Sequence, residues 1–179
     1  MKAVVFHALG YIRLEDVPNP SIEQPTDAIV RLTASGFCGT DLHFVRGTVS
    51  GTKKGRILEH EGVGVIEQLG PMARNFSIGD RVIIPSTIGC GTCCYCREGY
   101  YAQCDNANPG GKTAGTAFFG GPEAAGGFDG LQAEKARVPR PAGSEPISPT
   151  LKKATQSPSS AAVPSGSSPS PRRRSWVHV

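Results

Sequence analysis

Cys90, Cys93, Cys96 and Cys104 lie in the stretch CGTCCYCREGYYAQC, separated by two, two and seven residues. Four thiolates at this spacing can close a tetrahedral cage around one ion. Each CxxC step is a tight bend that aims two sulfurs at one point and leaves nearby backbone N–H groups free to hydrogen-bond them. Such a cage has no open position, so a zinc ion held there serves structure rather than turnover. Three other readings stay open. Disulfides of a small secreted scaffold require an oxidising compartment. A ferredoxin-type iron–sulfur site puts the fourth cysteine after three residues and before proline, whereas here seven residues intervene and Asp105 follows. A nucleic-acid-binding zinc ribbon wants two CxxC pairs about 15–20 residues apart among basic residues, and this lobe offers Arg97 against Glu98. Cys94 lies off the repeat and reads as a spare thiol.

A second constellation lies upstream. GFCGTDLHFVRG brings Cys38, Thr40, Asp41 and His43 within six positions, and ILEHEGVGVIEQLG brings Glu59, His60 and Glu61 just ahead of a strand-like run. Alone, such a cysteine is usually a small buried hydrophobe and such a histidine a satisfied core residue. Together the two segments flank loops and offer a sulfur, an imidazole and several carboxylates. Those are the donor types of a catalytic zinc, which needs three protein ligands and an open fourth place.

The elements that must position these side chains are mostly strands. Lys2 to His7, Tyr11 to Val17, Ala28 to Ala34, Gly62 to Leu69, Arg81 to Ile84 and Leu131 to Val138 are short runs rich in Val, Ile and Leu, punctuated by Gly, Pro, Asn and Asp. Short strands with turn signals between them predict a mainly β barrel or sandwich. Thr40 to Arg46 fits a short helix with Thr40 or Gly39 as N-cap and Gly47 just past its end.

The net charge of +4 carries no hint of nucleic acid once it is located. Residues 1 to 140 hold 14 Lys plus Arg against 14 Asp plus Glu, so the whole excess comes from the last 39 residues. Those 39 include ten Ser and seven Pro and end in PRRRSWVHV. Such a composition cannot bury enough apolar surface to offset its ordering entropy, so residues 140–179 are expected to form a disordered, low-complexity basic tail. No apolar run reaches membrane-spanning length, and the apolar run after Lys2 breaks at His7 and Gly10 without a cleavage pattern. The expectation is a cytoplasmic protein that binds neither nucleic acid nor membrane.

Taken in series, CGTDLH, HEGVGVIEQLG, FSIGDRV and the four-cysteine lobe resemble the amino-terminal catalytic domain of zinc-dependent alcohol dehydrogenases, the medium-chain dehydrogenase/reductase family. The resemblance covers residues 1–139, with the lobe at 89–105, and CDNANP looks like the formaldehyde-dehydrogenase-type branch. It implies a GroES-like β-barrel with short helices, and a structural zinc on Cys90, Cys93, Cys96 and Cys104. It further implies a catalytic zinc with Cys38 and His60 as ligands and Glu61 as the adjacent carboxylate, with Asp41 orienting the histidine. Thr40 and His43 match the relay that carries the alcohol proton to solvent, the hydride passing to NAD or NADP. A small alcohol or aldehyde is the implied substrate, and the implied partners are a second copy or full-length subunits.

The chain departs from the family in two places. Glu59 occupies a position that is glycine in the family, where a Cβ strains the turn and a carboxylate competes as a ligand. There is also no strand–GxGxxG–helix unit for a dinucleotide. Gly62 and Gly64 sit inside a strand-like run with Glu67 where the third glycine belongs, and GGKT at Gly110 to Thr113 lacks the first glycine of a phosphate loop. The third catalytic ligand of the family lies beyond the matched region as well. The expected function is a truncated zinc-dependent oxidoreductase with little or no turnover alone. The alternatives are an inactive zinc-binding barrel serving as an interaction or regulatory module, and a plain structural domain with free thiols.

Overall fold

The computed structural model describes residues 1–139 and 151–154. Alternation of apolar and polar side chains builds its sheets. In β5 (Arg81–Ile84), Val82 and Ile84 are buried while Arg81 and Ile83 face outward, the period-two pattern of a strand with one face on a core. β5 pairs antiparallel with β4 (Gly62–Leu69), which pairs with β3 (Ala28–Ser35), which pairs with β8 (Lys135–Val138). The β3–β4 register shifts between Ile29 and Val30 and again between Leu32 and Ala34. Such bulges increase twist and bend a sheet toward closure. β1 (Lys2–Ala8) and β2 (Tyr11–Asp16) form a separate hairpin, and β6 (Thr87–Ile88) pairs with β7 (Ala117–Phe118) beside the sulfur lobe.

The mainly β architecture agrees with the expectation, and most of the predicted strands fall within a residue or two of those found. One differs in kind. Only Lys135–Val138 of the predicted Leu131–Val138 strand joins the main sheet. Leu131 and Gln132 donate their N–H groups to Glu59 and Leu58 carbonyls at 2.9 and 3.0 Å, while the Gln132 carbonyl accepts from Val4 at 2.8 Å. This stretch therefore ties the hairpin to the Leu58–Glu59 turn. A strand pattern records burial and cannot say which partner takes its hydrogen bonds.

The glycines of GVGVIE serve packing. A Cβ on Gly64 would lie 2.4 Å from the Arg31 carbonyl oxygen, so the residue lets β3 pass close by. In GGKT, Lys112–Ala114 make a single 3-10 turn and Lys112 faces Asp105 at 3.7 Å.

Val30, Ile66, Val82, Ile84, Leu131, Ala136 and Val138 form the main core, and Ile88, Phe119, Cys90, Cys96 and Cys104 belong to the same cluster. The lobe thus stands on the barrel's own core. The expected disordered tail departs from expectation at one place: Lys152–Lys153 form β9, an added edge strand on β5, and Leu151 is buried in the main core. The rest of that tail lies outside the described residues.

Candidate metal centres

The lobe is positioned by elements a few residues long. β6 ends at buried Ile88 and delivers Cys90. Cys93 caps the one-turn helix α2 (Cys94–Arg97), its Sγ accepting the Cys96 N–H at 3.5 Å, and a 3-10 turn at Tyr101–Gln103 delivers Cys104. Cys90 and Cys96 Sγ are 4.0 Å apart, as are Cys93 and Cys104 Sγ. All four sulfurs lie within 4.8 Å of one another. A tetrahedron with zinc–sulfur bonds of about 2.3 Å has edges of about 3.8 Å, so the donor set fits zinc in identity, number and spacing. All six cysteines of the chain are free thiols and exposed Cys94 lies outside the cage.

Charge on the cage is supported by donors from its own neighbourhood. Cys90 Sγ accepts the N–H groups of Thr92 and Cys93 at 3.4 and 3.3 Å, the Thr92 hydroxyl at 3.4 Å and Asn106 Nδ2 at 3.4 Å, while Cys104 Sγ accepts the Cys90 N–H at 3.2 Å. Burial works to raise the Cys90 pKa, but these donors together outweigh it and hold the thiol at about 6. Burial pushes the Cys96 and Cys104 thiols up. One thiolate is thus ready at neutral pH, and the remaining protons are those an incoming cation displaces. Sequence reasoning missed Thr92 and Asn106 as donors; their sole signal was adjacency to Cys90 and Cys104.

The upstream constellation is assembled across a longer span. Cys38, not Thr40 or Gly39, is the N-cap of α1 (Gly39–Arg46), because Asp41 in the first turn accepts the Cys38 N–H on Oδ2 at 3.0 Å. Gly47 closes the helix at φ 76°. Buried Phe44 seats α1 against Phe6 and Leu58, and so brings the helix onto the Leu58–His60 turn.

At that turn Glu59 is fully buried at φ 77°, a left-handed conformation that side chains with a Cβ adopt at a cost. Its backbone is pinned on both sides, with its N–H given to Asp41 Oδ1 at 3.0 Å and its carbonyl accepting from Leu131 at 2.9 Å. Gly130 and Gly120 press on the same peptides: a Cβ on Gly130 would lie 2.0 Å from the Leu58 carbonyl oxygen. Glu59 Oε1 accepts the Glu61 N–H at 3.0 Å. Burial first, then the neighbouring Asp41 carboxyl, pushes the Glu59 pKa up to about 7.

Of the residues matched to a catalytic zinc, the structure gathers Asp41 and His60, together with Glu59: one ligand atom from each lies within 4.8 Å of the others. Cys38 and Glu61 are not part of that group. Cys38 Sγ lies 3.6 Å from the Thr40 hydroxyl, and Glu61 is exposed at the mouth of a surface cleft with Ala34 and Gly36. Cys38, His60 and Glu61 are thus not gathered as one cluster of mutually close ligand atoms among the described residues. His43 is also exposed, and its Nδ1 is 2.7 Å from the Thr48 hydroxyl rather than bonded to Thr40.

The alcohol dehydrogenase GroES-like domain matches residues 24–143 of this chain. The zinc-type alcohol dehydrogenase-like protein AdhB of Bacillus subtilis is 38% identical over 139 residues, covering 78% of this chain and 36% of the relative. The glutathione-independent formaldehyde dehydrogenase of Pseudomonas aeruginosa is 32% identical over 144 residues, covering 77% and 35%. Among solved structures, the alcohol dehydrogenase TADH from Thermus sp. ATN1 superposes with a TM-score of 0.72 at 34% identity, covering 87% of this chain and 40% of its own. The chain spans a little over a third of the length of these relatives. Barrel and lobe match together and in order, and the chain accordingly belongs to the alcohol dehydrogenase GroES-like domain family of zinc-type dehydrogenases.

Proposed function

We propose that this chain is the zinc-binding barrel of an oxidoreductase that transfers hydride between a small alcohol or hydrated aldehyde and NAD or NADP. The observation that carries this reading is the four-sulfur lobe at tetrahedral spacing, seated on the core of a barrel shared with zinc-type alcohol dehydrogenases. The zinc it holds locks the loop from Cys90 to Cys104 onto the barrel, a folding role. Thr40 and His43 lie one turn apart on α1, and we assign them the passage of the substrate proton to solvent. The nicotinamide site we place in that part of the relatives' length beyond the match. The cytoplasm is its proposed compartment.

The test combines metal analysis with an assay for NADH or NADPH formation from primary alcohols and formaldehyde. At least one zinc per chain is expected, with NADH or NADPH formation dependent on the nicotinamide-binding part of the relatives' length. A folded chain without zinc would overturn the reading, and turnover by the chain alone would overturn the placement of the nicotinamide site.

A further inference from the structure

Helix α1 ends where Gly47 turns left-handed, and the reversal is held from outside the helix. Leu9, in the turn between β1 and β2, lies against it: a Cβ on Gly47 would sit 2.7 Å from Leu9 Cδ2, and the Gly10 N–H donates to the Val45 carbonyl at 2.8 Å. The reversal carries Thr48 back beside the last turn of the helix. There its hydroxyl donates to the His43 carbonyl at 3.3 Å, while the same oxygen lies 2.7 Å from His43 Nδ1. A hydroxyl has one proton and two lone pairs, and a neutral imidazole has one N–H and one bare nitrogen. Only one arrangement uses both contacts at once: the hydroxyl gives its proton to the carbonyl and accepts the Nδ1 proton. A hydroxyl that donated to Nδ1 instead would leave the carbonyl contact without a proton. The Val49 N–H, 3.3 Å from that carbonyl, does not alter the count, because a carbonyl oxygen has two lone pairs.

We propose that Thr48 is a positioning residue for the proton relay: it holds neutral His43 as the Nδ1–H tautomer and so leaves Nε2 as the ring nitrogen that accepts the substrate proton. The inference rests on the relay role assigned to His43 above. The partner on one ring nitrogen decides what the other can do. Nε2 takes the proton while Nδ1 keeps its own, which gives an imidazolium still bonded to Thr48 through Nδ1–H. Nε2 then returns that proton to water, which reaches the ring because His43 is exposed. No proton passes through Thr48, and the ring keeps the same partner in both charge states. A threonine that served only to cap the end of α1 would need the carbonyl bond alone and would make no demand on the ring.

The experiment is ¹⁵N NMR of the histidine rings in the full chain, at a pH about two units above the ordinary histidine value of about 6.5 so that the rings are neutral. The His43 signals are assigned by their loss in His43→Gln. Nδ1–H is expected as the majority tautomer of His43 in the parent. Thr48→Val keeps the side-chain shape without the hydroxyl, and should move the tautomer ratio towards Nε2–H by about fivefold, the population ratio set by the net worth of one hydrogen bond. Thr48→Ser, which returns the hydroxyl, should restore the parent ratio. Thr48→Ala is the second hydroxyl-free variant and should match Thr48→Val. A majority of Nε2–H in the parent would overturn the proposal. So would a parent ratio retained in Thr48→Val or Thr48→Ala, and a loss of stability with that ratio retained would mark Thr48 as a helix cap only. The ring signals report neither lobe metal nor turnover, so a chain that folds without zinc would count instead against the dehydrogenase-barrel reading.

Discussion

The sulfur lobe and the carboxylate pocket are both clusters of potential metal ligands, yet they are built in opposite ways. In the lobe all four ligands come from 15 consecutive residues, and the backbone N–H groups that support them come from the same stretch. In the pocket, the helix supplies Asp41, a strained turn supplies Glu59 and His60, and two glycines from the distant Gly120–Gly130 region shape the turn. The cage draws its ligands from one loop, although its buried cysteines pack into the main core. A pocket drawn from separate elements depends on the whole barrel and here holds two buried polar atoms, Glu59 Oε2 and His60 Nδ1, without a hydrogen-bond partner.

The largest effect that would break this contrast is at the lobe. Cys96→Ser removes a buried sulfur from a cage whose metal supplies folding free energy, so loss of zinc and several kcal/mol of stability are expected by thermal melting. Cys94→Ser, off the cage and exposed, should change stability by no more than about 0.5 kcal/mol.

Asp41→Ala should come next. It leaves the Cys38 and Glu59 N–H groups without their acceptor, a loss of roughly 3 kcal/mol by denaturant unfolding. The expected outcome is a destabilised pocket with lobe zinc retained.

Glu59→Gly should go the other way, stabilising the chelator-treated chain by about 1 kcal/mol through relief of the left-handed strain. Its pH signature has a definite sign. The folded-state pKa of Glu59 is raised from 4.5 to about 7, so between those values the folded chain binds more protons than the unfolded one. Stability of the chelator-treated parent should therefore fall across that window as pH rises, relative to Glu59→Gly, in paired unfolding curves. Identical pH slopes would contradict the burial of that carboxyl.

The smallest effect sharpens the lobe. Asn106→Ala removes one of several donors to Cys90 and should weaken zinc binding by about tenfold in a chelator competition, with the fold intact.

How much of this was legible in the sequence follows from the same contrast. The cage could be read because its ligands are close in the chain and their spacing is the geometry. Strands such as Arg81–Ile84 could be read because period two survives one residue at a time. Glu59 was visible only as an oddity. Its inward direction is set by the Asp41 hydrogen bond and by Gly120 and Gly130, residues 18 to 71 positions away, and no local pattern carries that. Leu131–Glu134 and Lys152–Lys153 failed for a related reason, since pairing partners are chosen by tertiary closure rather than by propensity.

The most direct test is zinc analysis of the purified chain, paired with thiol titration before and after chelation. The cage predicts at least one tightly held zinc per chain, four thiols protected while it is bound, and their release together with the metal. A folded chain that carries no zinc and presents all six thiols to the reagent would contradict it.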